Sequence, residues 1–233
     1  MPRIENSKIL RKELPTIILI EKTDDANTML RIFDFLKRIE KELEIAQENL
    51  PDYEIKIGAY TFSNVSCHNH PNELTVLSEF KSFELFKNDV VDLTGVLGQL
   101  EKDLSRKNLL SSEMGYALPC IIFLLDGSKK YITKNILEQM NNNKWFRNAR
   151  RMAFLLNAHK FYENDDLLKV IGYEEAIVNV NNAEEAIEIF KSLFVCASIT
   201  GEIIASCSYP EQDPMIFVDP INEDEEWATD DDW

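Results

Sequence analysis

The chain predicts an α/β fold, a doubly wound and mostly parallel central sheet with helices on both faces, and three observations carry that expectation. The first is a pair of apolar runs, Pro15-Thr-Ile-Ile-Leu-Ile-Glu21 and Pro119-Cys-Ile-Ile-Phe-Leu-Leu-Asp126, each ending on an acidic residue. Unbroken β-branched and large apolar residues over such a length need burial on both sides, as in the middle of a parallel sheet covered by helices. The second is the alternation of strand-like and helix-like segments from one end of the chain to the other. The third is the acid at the carboxyl end of each run, because α/β sheets place their ligand crevice outside the carboxyl ends of their strands.

The elements follow in order. After the strand ending at Glu21, Thr28 to Leu50 places Leu30, Phe33, Leu36, Ile39, Leu43, Ala46 and Leu50 three or four residues apart, a single helical stripe that Pro51 terminates. Tyr53 to Ser63 reads as the second strand and Glu73 to Phe80 as a short third strand able to pair with it. Leu93 to Leu109 is a second helix, and the strand ending at Asp126 comes next. Thr133 to Asn141 is helical and Met152 to Leu156 is a fifth strand. Asp165 to Ile171 is a short helix whose two leading acids suit a helix amino terminus. Ile177 to Val180 and Ala183 to Ile199 supply the last strand and helix. The organisation expected is an extension over residues 1–13, one domain over 14–200 and an acidic tail over 201–233.

Composition narrows the functional classes. A length of 233 residues suffices for one sizeable core, and 45% hydrophobic with 28% charged residues is the balance of a soluble globular chain. The net charge of -16 is unusual, and ten of those charges come from the ten acids beyond Pro210, where there is no Lys or Arg. Phosphate-backbone binding depends on clustered basic residues, so nucleic acid is not an expected partner. Trp145 and Phe146 beside Arg147, Arg150 and Arg151 read as a packed helix end with a basic rim. Cys67, Cys120, Cys196 and Cys207 lack Cys-x-x-Cys spacing, which points to free thiols in a reducing compartment. With no apolar signal segment among the first residues and no spanning run, the expected location is the cytoplasm, away from the membrane.

Several chemistries lack their motif. No Gly-x-Gly-x-x-Gly or Gly-x-Ser-x-Gly follows a strand. Phosphatase chemistry on a similar sheet would want Asp-x-Asp where Glu21-Lys-Thr stands. Cys67-His-Asn-His70 holds metal-ligand residue types without the spacing of a structural zinc site, and reads as a polar loop. The tail breaks at Pro210, Pro214 and Pro220, yet Met215 to Val218, Ile221, Trp227 and Trp233 give it apolar anchors suited to docking on a surface.

At the two acidic strand ends the chain resembles a known family. Leu14 to Asp25 is similar to the first strand and metal loop of von Willebrand factor A domains, Val91-Asp-Leu-Thr-Gly-Val-Leu97 to their Thr-Asp-Leu segment, and Leu125-Asp126-Gly127 to their Thr-Asp-Gly. The stretches from Asn143 to Ala153, Asp165 to Val170, Val180 to Ala186 and Phe190 to Ile199 resemble the bacterial branch found beside tellurite-resistance genes. This resemblance implies a Rossmann-like sheet and, in metal-binding members, a metal-ion-dependent adhesion site (MIDAS) whose divalent ion captures a partner carboxylate. Carried over, Glu21 stands for an Asp, Thr23 for the first Ser, Asp25 for the second Ser, Val91 for the Thr, and Asp126 for its Asp.

Three departures make that site degenerate. Glu21 is a methylene too long, Val91 offers no oxygen, and Asp25 adds charge where a hydroxyl is wanted. A register placing Thr94 on the Thr position would supply an oxygen and lose the Asp-Leu match. Glu21, Asp24, Asp25 and Asp126 would crowd one edge, relieved by a cation, by Lys22 or Lys129, or by raised carboxyl pKa values. The expectation is therefore no cofactor, or at most weakly held magnesium or calcium at Glu21, Thr23, Asp25 and Asp126. The implied function is a non-enzymatic interaction or scaffold domain of a bacterial stress-response system. Its partners would be proteins, including a kinase or phosphatase of the same gene cluster, docking at Glu21, Asp25, Val91, Asp126, Trp227 and Trp233. The alternatives are a metal-dependent ligand-binding domain with an altered coordination set, and an α/β hydrolase or phosphotransferase using Asp126 and Glu21.

Overall fold

The computed structural model describes residues 11–63, 74–80, 92–110, 116–128, 130–157 and 165–199, with side chains through residue 194. Among these residues six strands form one sheet. They are β1 (Lys12–Glu21), β2 (Tyr53–Phe62), β3 (Thr75–Val76), β4 (Cys120–Leu125), β5 (Arg150–Leu155) and β6 (Ile177–Asn179), in the order β3-β2-β1-β4-β5-β6. All neighbours are parallel except β2 and β3. The two acid-terminated runs are thus adjacent at the centre, with Ile18 opposite Ile122. Every residue of β4, and β1 from Leu14 onward, is buried, as continuous apolar runs require in a doubly covered sheet.

The helices are α1 (Ala26–Asn49), α2 (Leu93–Asp103), α3 (Lys134–Asn142), α4 (Lys144–Asn148), α5 (Asp165–Ile171) and α6 (Ala183–Ile199). Helix α1 packs against α6, and α2 against α3. Phe35 of α1, Phe154 of β5 and Phe190 of α6 meet on one face, with ring centroids 5.0 and 6.3 Å apart. Arg151, an odd number of residues from Phe154 on the same strand, points to the other face, where its guanidinium covers the Phe146 ring of α4. On β2, Tyr60 donates its hydroxyl to Asp103 of α2 at 2.9 Å, and Gln99 donates to the other oxygen of that carboxylate at 3.0 Å.

Several boundaries differ from the sequence expectation, each for a local reason. The buried stripe of α1 runs through Thr28, Ile32, Phe35, Leu36, Ile39, Leu43 and Ala46, while Leu30 is 69% exposed. Beyond Leu36 a spacing of three or four tracks the core, but towards the amino terminus Leu30 and Phe33 have rotated off it in favour of Ile32 and Phe35. The third strand is two residues long, because a 3-10 turn at Leu77–Glu79 ends it. Helix α2 stops at Asp103, six residues early. There Asn143 donates to the carbonyls of Glu101 and Leu104, satisfying helix-end acceptors that a longer helix would have used itself. Helices α5 and α6 have the expected limits. No helix among the described residues is long and apolar enough to cross a membrane.

Candidate functional site

The parallel register of β1 and β4 brings Glu21 and Asp126 together at the carboxyl edge of the sheet. Glu21 is the last residue of β1 and is 1% exposed; its Oε2 accepts the backbone N–H of Asp126 at 2.7 Å. The extra methylene is put to use here, since the side chain crosses to the neighbouring strand and caps its end. Past Asp126 the chain turns sharply at Gly127, whose φ is +88°, and the N–H of Ser128 closes back on Asp126 Oδ1 at 2.8 Å. A Cβ at Gly127 would lie 2.7 Å from the carbonyl oxygen of Asn157, so the turn has room for glycine and nothing larger.

That turn delivers a residue the sequence expectation passed over. Lys130 is 3% exposed and points back under the edge, where its ammonium contacts Glu21 Oε1, Asp126 Oδ1 at 2.8 Å and Ser128 Oγ at 2.8 Å. The two residues that follow it are held by different helices. Thr94 donates its hydroxyl to the carbonyl of Tyr131 at 3.4 Å, and Asp166 accepts the N–H of Ile132 at 3.3 Å. Relief of the charge that Glu21 and Asp126 bring together here comes from Lys130. The signal available was the pair of lysines after a Gly turn. Lys129 itself lies outside the described residues.

The electrostatics follow from burial and pairing. Burial pushes the Glu21 carboxyl up to about 7, against the pull of Lys130, and the neighbouring Asp126 charge adds to the rise. At Asp126 burial also opposes the charge, but hydrogen bonds from Lys130 and Ser128 outweigh it and hold the carboxyl at about 2. One ammonium thus serves two carboxyl groups, the more exposed of which keeps its charge.

The remaining residues of the expected set divide. Asp25 caps the amino terminus of α1, accepting from the N–H groups of Asn27 and Thr28 and from the Thr28 hydroxyl. Those bonds, chiefly the one from the Thr28 hydroxyl, lower its pKa. The same hydroxyl accepts from Asn157 at 3.2 Å, which ties the first loop to the end of β5. Thr23 turns its hydroxyl to the N–H of Asp25 at 3.3 Å. Glu21 and Asp126 are therefore joined through Lys130, whereas Thr23 and Asp25 serve the start of α1. Val91, Trp227 and Trp233, together with Cys67, His68 and His70, lie outside the described residues.

With Lys130 in place, the point where these oxygens converge is not open to a divalent ion. Both carboxylates aim an oxygen at one point, and the ammonium occupies that point. Among the described residues no group of three or more His, Cys, Asp or Glu is arranged to hold a metal. The oxygens stand 2.8 Å from Nζ at Asp126 and Ser128, against about 2.0 to 2.1 Å in a magnesium shell.

No protein-family model and no curated protein matches the chain. Among solved structures, proximal thread matrix protein 1 from the mussel byssus is similar over 81% of this chain and 47% of its own, at 9% identity and a TM-score of 0.52. A structure of that protein described as having a zinc occupied MIDAS motif is similar over 78% of this chain and 47% of its own, at 13% identity and a TM-score of 0.50. The chain spans about half the length of the structures it matches. At these identities the likeness concerns the fold alone, and it supports the Rossmann-like α/β architecture that the von Willebrand factor A resemblance implies.

Proposed function

We propose that the chain is a non-enzymatic protein-interaction domain of a cytoplasmic bacterial stress-response system, similar to those encoded beside tellurite-resistance genes, and that it docks a partner at the carboxyl edge of its central strands. The observation that carries this reading is the closure of Glu21 and Asp126 around Lys130, which withdraws Glu21 from any substrate and engages Asp126 three ways. What the edge turns outward is different in kind. Tyr131, next to the buried lysine, is 76% exposed, and Asp24 and Asp25 are exposed at the start of α1. A large aromatic on a pinned loop, at the same end of the sheet as exposed carboxylates, suits a partner with an apolar socket and a basic rim. Such a partner would be a protein of the same gene cluster, with a kinase or phosphatase as the reading's first choice, and the tail around Trp227 and Trp233 would supply a second contact.

The test is calorimetric titration of the full chain with purified kinase and phosphatase products of the flanking genes, in chelator. Binding is expected, weakened about tenfold or more by Tyr131→Ala, as for an aromatic at the centre of an interface. Absence of binding to any of them, or hydrolysis of a phosphate ester that disappears in Asp126→Ala, would overturn the reading.

A further inference from the structure

An ammonium carries one positive charge and three N–H donors. Lys130 spends all three on the hard oxygens of Glu21, Asp126 and Ser128, with its side chain 2% exposed. Two carboxyl groups and a hydroxyl converging on one buried point is also what a divalent ion would need from this edge. We propose that Lys130 is a built-in counter-ion that takes the place of the divalent ion, so that the edge is assembled without metal and is closed to it. The inference rests on the same edge as the proposed interaction, but it concerns the isolated chain and stands or falls without any partner.

Geometry and charge both favour the tethered group over a free ion. To enter, an ion would have to expel an ammonium that the chain holds four residues from Asp126, in a loop pinned by Thr94 and Asp166. A covalently held group competes at a local concentration no dissolved ion matches. The expelled ammonium would then be left buried without its carboxylates, which is the costly way to break a buried pair. Removing the ammonium while keeping the apolar stem should have the opposite effect, leaving an ion-sized opening lined by the same three oxygens. Calcium, with bonds of about 2.3 to 2.6 Å, asks for less contraction of that set than magnesium does.

Thermal denaturation of the full chain and of Lys130→Met, in chelator and in calcium at matched ionic strength, tests this. The wild type should melt at the same temperature in both. Lys130→Met should melt lower in chelator and rise by roughly 5 to 10 °C at calcium about a hundredfold above its Kd. That response should vanish in the Glu21→Gln, Lys130→Met double variant, which separates this edge from weak binding along the acidic tail. Manganese added to the wild type should give no bound-ion paramagnetic signal that depends on Glu21. A Glu21-dependent manganese signal in the wild type would overturn the proposal. A Lys130→Met chain that ignores calcium, or stays unfolded with and without it, would overturn it as well.

Discussion

Glu21 Oε2 accepts the backbone N–H of Asp126 at 2.7 Å, a bond between residues 105 positions apart that joins the ends of the two central strands. Its partner oxygen meets Lys130, so one side chain both caps a strand and holds a charge. Because it is buried, its protonation is linked to folding.

From pH 4.5 to about 7 the folded chain keeps a proton on Glu21 that the unfolded chain has released. The stability this contributes is whole below 4.5 and is lost as pH rises through about 7. Asp126 works in the opposite sense, its contribution being present above 3.8 and lost as pH falls through about 2. Urea denaturation of the wild type and Glu21→Gln between pH 5 and 8 should show the wild type losing about 1 to 3 kcal/mol relative to the variant as pH rises. A difference independent of pH would refute this.

Gly127→Ala meets two obstacles, a φ of +88° and a Cβ placed 2.7 Å from the Asn157 carbonyl. The backbone atom cannot swing away as a side chain would. A loss of about 2 kcal/mol or more is expected from chemical denaturation, accompanied by displacement of Lys130. Full stability in this variant would mean the turn is not as described.

Ile18 and Ile122 are opposite one another in the register and have no exposed surface. Trimming either to Ala removes contacts on a central strand that cannot collapse inward, at a cost of roughly 2 to 5 kcal/mol. Equilibrium unfolding of the two single variants checks it, and unchanged midpoints would remove both from the core.

Thr16 is buried in β1, and its hydroxyl has no hydrogen-bond partner among the described residues. Valine has the same shape without the stranded oxygen. Thr16→Val should therefore raise stability by about 1 kcal/mol, seen as a higher denaturation midpoint with an unchanged slope. A drop in midpoint would show that the hydroxyl is bonded in solution.

The central pair of strands was legible because burial on both faces writes a continuous apolar run into the sequence, and a helix-period stripe does the same for most of α1. What could not be read was phase and direction. Leu30 fits the stripe by spacing but lies on a different face of the helix from Thr28, Ile32 and Phe35, which are buried. At the edge, the acids at Glu21 and Asp126 were legible as strand ends, and their union follows from strand order. Lys130 was not, since its turning inward depends on a glycine turn and on two hydrogen bonds from α2 and α5 that join segments distant in sequence. Asp25 reads from sequence as a position of the metal loop, and its role as the cap of α1 shows only in three dimensions, through its bonds to Asn27 and Thr28.

The position of β1 in the sheet also bears on how the chain comes to fold. Its first neighbour, β2, follows after one helix, whereas its second pairs Thr16 with Cys120, about halfway along the chain. During synthesis this central strand therefore waits with one edge open until β4 emerges. Parallel pairing at such separation is slow, and an open apolar edge is the surface on which chains aggregate. Refolding rates of this protein should thus be set by the closure of β4 onto β1, and the contacts of Lys130 with Glu21 and Asp126 can form only after that closure is complete.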